Sequence, residues 1–131
     1  MKKKYLSKII ANDNEGLQMI SACCAGAEIK ISEIKYLQKN KVFLLSLRRN
    51  KIETENESNI VNSICKFEFV DRVKSKNINQ DEIDQKLELI TMDYLKNKDN
   101  YEISLIFTNN AYITLSTEII EVTLDDQNKI D

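Results

Sequence analysis

The chain has 131 residues, 42% of them apolar and 31% charged, which describes one globular domain and excludes a disordered or fibrous chain. At that length about two thirds of the unfolded surface is buried on folding, so no disulfide or metal is needed to hold the core. Nineteen basic against 21 acidic residues leave a net charge of −2, without the global basic footprint of a dedicated nucleic-acid binder.

Lys2 to Lys4 resemble the start of an export signal, but YLSKIIANDN supplies no apolar run to follow them. Neither export nor a membrane span is expected, and the cytoplasm is the predicted compartment. Tyr5 to Ala11 reads as a short first strand. Asn12, with Glu15 three residues on, has the form of a capping box, opening a helix from Asp13 to Ala25 whose inner face carries Leu17, Ile20, Ser21 and Cys24. Gly26 follows as its C-terminal cap.

Glu28 to Leu37 reads as one strand with a change of phase near Ser32, because Ile29 and Ile31 are odd-numbered while Ile34 and Tyr36 are even-numbered. Gln38 to Lys41 turns the chain. Val42 to Leu47, VFLLSL, is apolar at both parities, as in a central strand covered on both faces. Arg49 to Asn62 is polar and aperiodic, which predicts a long surface loop. Ile64 to Ser75 alternates again, with Cys65, Phe67, Phe69 and Val73 on one face. Between Asn79 and Asn97 two readings stand: a helix on the spacing of Ile83, Leu87, Ile90 and Tyr94, or a strand over Leu87 to Leu95.

Tyr101 to Asp126 carries the clearest pattern. Tyr101, Ile103, Leu105 and Phe107 alternate with polar residues, and so do Ala111, Ile113 and Leu115. Opposed residues of an antiparallel pair share a face, so a three-residue loop of Thr108, Asn109 and Asn110 sets Phe107 against Ala111, Leu105 against Ile113 and Ile103 against Leu115. Asn110 then takes the left-handed position. The phase change at Ile119 and Ile120 predicts a β-bulge. The fold class is therefore α+β: one N-terminal helix packed on a largely antiparallel sheet, or partly closed barrel, of about six or seven strands.

These residues resemble a known family. Asp13, Glu15, Leu17, Ile20, Ser21 and Ala22 are similar to the opening helix of the alphaproteobacterial family of domains of unknown function numbered 2948. Ser63, Phe67, Glu68, Val70, Val73, Ser75, Ile78 and Asn79 resemble its middle strand, and Ala111, Ile113, Leu115, Glu118, Ile120, Glu121, Leu124 and Asp126 its closing pattern. The resemblance covers Leu6 to Asp126. It implies a bacterial protein, favours a strand for Leu87 to Leu95, and implies no activity, because none is assigned to the family. Asn77 and Asn110 stand where the family has Gly, and both keep a left-handed backbone accessible.

The absence of His excludes the usual zinc sites and His-based triads. Two isolated Gly exclude a Gly-rich phosphate loop. Cys23, Cys24 and Cys65 lack metal-type spacing and read as small buried residues in a reducing compartment. Lys2 to Lys4 with Tyr5, and the pair Lys74 and Lys76, have no aromatic platform beside them and read as dispersed surface charge. No catalytic residue, cofactor or metal ligand is assigned. Arg49 and Glu53, near a central strand, and Glu118 and Glu121, near the expected bulge, form a candidate interaction rim. The favoured function is a non-catalytic binding or assembly module that offers the Arg49 to Asn62 loop or an exposed sheet edge to a protein partner, with neither nucleic acid nor membrane expected. The alternative is a small-ligand-binding or enzymatic domain using Arg49, Glu118 and Glu121.

Overall fold

The computed structural model describes the backbone of residues 8–54 and 57–130 and the side chains of residues 8–50 and 60–127. The elements are β1 (Lys8–Ala11), α1 (Asn14–Cys24), β2 (Glu28–Lys30), β3 (Ile34–Leu37), β4 (Val42–Thr54), β5 (Glu57–Phe67), β6 (Val70–Lys76), β7 (Lys86–Lys96), β8 (Tyr101–Phe107), β9 (Tyr112–Thr117) and β10 (Val122–Ile130). The ten strands form one antiparallel sheet in the order β1-β10-β5-β4-β2-β7-β8-β9-β6, with β3 on β4 beside this path. It is not closed into a barrel. Residues Tyr5 to Ser7 of the expected first strand lie outside the described residues.

Helix α1 lies on the sheet with Leu17, Ile20, Ser21 and Cys24 buried, the face read from the sequence. Its N-cap is Asp13, one residue later than expected, and the Asp13 carboxylate accepts the Gly16 N–H at 2.7 Å. The approach to β1 is close, since a Cβ on Gly16 would meet Ala11 Cβ at 2.8 Å. After the helix the chain reverses through Gly26 at φ +83°, a conformation open to Gly and costly for other residues. Gly26 N–H then donates to Leu89 O and Leu89 N–H to Ala27 O, so the helix exit is stitched to β7. Further along β7, beyond the reach of β2, Ser21 Oγ accepts the buried Met92 N–H at 2.9 Å.

Among the described residues the strand count is ten rather than six or seven, because three stretches each read as one strand are split where the chain changes neighbours. Glu28 to Leu37 breaks at a single 3₁₀ turn over Ile31–Glu33, and β2 pairs with β7 while β3 pairs with β4. Ile64 to Ser75 breaks at Phe69, whose φ of 59° flips the parity, leaving Phe69 exposed and Val70 buried. At Ile119 and Ile120 there is no bulge within a strand: β9 ends at Thr117, and β10 begins at Val122 against β5 and β1. In each case a change of parity is the trace of a corner.

The stretch Arg49 to Asn62 is not a surface loop. β4 runs to Thr54 and β5 returns from Glu57, pairing Leu47 with Ser63 and Arg49 with Val61. The inward positions continue the period of two, but Arg49 and Ser63 occupy places where the apolar alternation expects hydrophobes. β4 is central, with Phe43, Leu45 and Leu47 in the core, although Leu44 on the opposite face is only half-buried. β7 resolves the two readings of 79–97 as a strand, in line with the family resemblance. The β8–β9 hairpin has the expected register, Ile103 opposite Leu115 and Leu105 opposite Ile113, with Phe107 N–H donating to Ala111 O and Asn110 at φ 59°. Cys24 and Cys65 are buried as expected; Cys23 is half-buried, because it falls beside the inner stripe of α1. Among the described residues no helix is long and apolar enough to cross a membrane.

Candidate functional site

Of the four residues proposed as a rim, Arg49, Glu118 and Glu121 are not brought together. Arg49 is buried, and its guanidinium makes a forked contact with Asp126, Nη2 to Oδ1 at 2.9 Å and to Oδ2 at 3.0 Å, with Nε also donating to Ser63 Oγ at 3.1 Å. Ser63 Oγ donates to Asp126 Oδ1 at 2.7 Å. Three neighbouring strands thus bring a paired and hydrogen-bonded charge into the interior, as a buried charge requires. The side chain of Glu53 lies outside the described residues. Glu118 is exposed, and its N–H donates to Phe69 O. Glu121 accepts the Glu68 N–H on its carbonyl, while the Glu68 carboxyl hydrogen-bonded to its side chain, aided by partial burial, pushes the Glu121 carboxyl above its ordinary range. Along β5, Arg49 stands level with Val61 and Glu121 with Glu68. Seven residues at about 3.3 Å each put them on the order of 20 Å apart.

A narrow concavity lies elsewhere. β3 pairs only with β4, and β6 only with β9, among the described strands. Their free edges face each other across a groove of about 350 Å³. Ile31, Phe43 and Ile113 make its floor; Ile34 and Tyr36 come from β3, Val73 and Ser75 from β6. Ile78, Ser32 and Gln80 line the rest. The groove is tied at one end by three links: Tyr36 Oη donates to Val70 O at 2.8 Å, Val70 N–H to Lys41 O at 2.8 Å, and Lys41 Nζ meets Asp71 at 2.9 Å. The hydrogen bond and charge of Asp71 hold the Lys41 ammonium above its usual range.

The sequence dictates this shape locally. The 3₁₀ turn at Ile31–Glu33 peels β3 away from the line of β2, and the Phe69 corner swings β6 off the line of β5. Each lip then alternates: Ile34 and Tyr36 half-buried against Lys35 exposed, and Val73 half-buried against Arg72 and Lys74 exposed. These period-two signals were visible in the sequence. That β3 and β6 would become lips of one groove was not, because it depends on two corners and on pairings distant in the chain.

Among the described residues no carboxylate, thiol, amine or guanidinium lines the groove, and its polar groups are the Ser32 and Ser75 hydroxyls, the Gln80 amide and the Tyr36 hydroxyl, the last already donating to Val70 O. The buried thiols are in the core: the hydrogen bond of the Cys65 thiol to Cys24, together with burial, pushes the Cys65 thiol well above its ordinary value and keeps it protonated. A second, shallower hollow of about 500 Å³ lies on the outer face of β8 and β9 beside exposed Ile90, Ile106 and Tyr112, with Lys76 Nζ 5.8 Å from the Tyr112 ring centre. Among the described residues no group of three Cys, Asp or Glu could hold a metal ion.

A family model described as a protein of unknown function, DUF2948, matches residues 7–130. The chain belongs to this family. Comparison with curated proteins and with solved structures gave no match. Within the DUF2948 chain the matched span includes both lips of the groove and the Arg49, Ser63 and Asp126 cluster.

Proposed function

We propose that this DUF2948 chain is a non-catalytic binding module that takes an extended segment of a partner protein into the groove between β3 and β6. One observation carries the reading: among the described residues, two strand edges that pair with no other strand flank an uncharged, mostly apolar groove. An added strand gains main-chain hydrogen bonds from such an edge, and its alternate side chains find pockets on the inner side. The volume suits one or two apolar side chains better than a large cofactor. A ligand-binding or enzymatic site built on Arg49, Glu118 and Glu121 is not supported, because Arg49 is consumed by Asp126 and stands far from Glu121. Three free thiols suit a cytoplasmic setting.

The test is to pan a random peptide display library on the folded domain and map selected peptides by backbone amide shifts. The expected result is a set of shifts concentrated at 34–37 and 70–76, abolished in Val73→Trp, which fills the groove. Binders that map to the outer face of β8 and β9, or to the β4–β5 hairpin, would refute the site.

A further inference from the structure

The outward residues of the two lips share one sign of charge. Lys35 on β3, Lys39 and Lys41 in the turn after it, and Arg72, Lys74 and Lys76 on β6 are all exposed. In the same two segments the sole carboxylate is Asp71, already held by Lys41, while the whole chain has a net charge of −2. No carboxylate answers the β6 cations across the strand either, since Arg72 and Lys74 stand opposite Ser116 and Thr114, and Lys76 lies 5.8 Å from the centre of the Tyr112 ring.

A strand added to β6 must follow its pleat. Residues of the added strand on the inner side lie beside Val73, Ser75 and the groove; those on the outer side lie beside Arg72, Lys74 and Lys76, at the short distances where opposite charges attract and like charges repel. We infer, resting on the edge-addition reading above, that the partner segment alternates acidic with apolar residues, the apolar ones entering the groove and the acidic ones lying along the basic outer face of β6. Nucleic acid is less well matched: stacking of successive bases needs a row of open aromatic faces, whereas Phe43 is buried in the floor, the Tyr36 hydroxyl is tied to Val70 and the exposed Tyr112 ring lies beside Lys76.

The experiment uses the whole chain and three fluorescent peptides on one soluble carrier: Glu-Ile-Glu-Val-Glu, the same with Ser for Glu, and the same with Lys for Glu. Anisotropy at low and high salt should rank them Glu over Ser over Lys, with the Glu peptide about tenfold tighter than the Ser peptide and weakened by salt. In the double variant Arg72→Glu with Lys74→Glu the order should reverse to favour the Lys peptide. Ile106→Ser, on the outer face of β8, should leave the ranking unchanged, and thermal melts check that every variant is folded. Equal binding of the Glu and Ser peptides overturns the acidic partner while leaving edge addition standing. No binding by any of the three, when Val73→Trp is equally inert, overturns both. Displacement of the Glu peptide by a single-stranded homopolymeric nucleic acid at comparable concentration would assign the basic face to nucleic acid and overturn the inference.

Discussion

Two hairpins in this molecule are built alike and read differently. In β8–β9 the inward positions are Ile103, Leu105, Phe107, Ala111, Ile113 and Leu115, all apolar and all buried. In β4–β5 the same alternation runs through Leu45, Leu47 and Arg49 on one strand and Val61, Ser63 and Cys65 on the other, again buried. The sheet requires alternating burial, and apolarity is only its commonest means. Where Arg49, Ser63 and Asp126 satisfy one another, a polar stretch crosses the core and hides its strand from any reading based on hydrophobicity.

The comparison is broken most severely by removing one member of the buried pair. Arg49→Ala removes the guanidinium that forks onto the buried Asp126 carboxylate and should cost about 3–5 kcal/mol in a denaturant titration. Leu105→Ala, at a fully buried place in the other hairpin, should cost about 2–5 kcal/mol through its cavity. What separates the two is rescue. Replacing both partners, Arg49→Met with Asp126→Leu, should recover most of the first loss, since a buried pair can be exchanged for hydrophobes of similar volume at little cost. A double variant as unstable as Arg49→Ala alone would mean that the fork is not the reason for the loss.

A smaller effect tests the turn that makes β8–β9 legible. Asn110 sits at φ 59°, so Asn110→Ala should destabilise by about 1 kcal/mol, the ordinary penalty of a β-carbon in the left-handed region. Stability within error of wild type would show that the register owes little to this residue.

The smallest effect sharpens the contrast between a buried and a half-exposed ion pair. Burial pushes the Glu33 carboxyl up, but hydrogen bonds from Arg48 and from the Lys30 N–H outweigh it and hold the group below its reference value of 4.5. A carboxyl lowered in the folded state contributes stability that is fully present above the unfolded value and lost as the pH falls through the folded one. Arg48→Met should therefore flatten the stability profile below pH 4.5, by about 1 kcal/mol at most for a pair this open to solvent. An unchanged acid limb would exclude the pair as a source of pH dependence.

The helix face, Gly26, the β8–β9 register and Asn110 were legible because each is a local decision, made within one element or across one tight turn. The corners were half legible. Ser32 and Ile119–Ile120 announced a change of parity, yet a bulge, a bend and a change of neighbours leave the same mark in sequence. At Phe69 the parity shift was concealed, because two aromatic residues flank Glu68 and either could have been inward. The candidate site was least legible: Lys74 and Lys76 were seen as charge, Val73 and Tyr36 as strand residues, but their relation arises from β3 and β6 meeting edge to edge. Arg49 drew notice for its charge, and its partner Asp126 lies 77 residues away.

The pairing of β1 with β10 has a kinetic consequence. Ile9 lies opposite Leu124, so this border of the sheet forms by closing a loop of more than one hundred residues. Such distant contacts gain nothing until most of the chain is in place, and folds dominated by them mature in milliseconds to seconds rather than microseconds. During synthesis the β4–β5 hairpin can form early, but its outer flank waits for β10, and β10 in turn is covered only when β1 docks. The unfinished molecule thus carries a long unsatisfied strand border through most of its assembly.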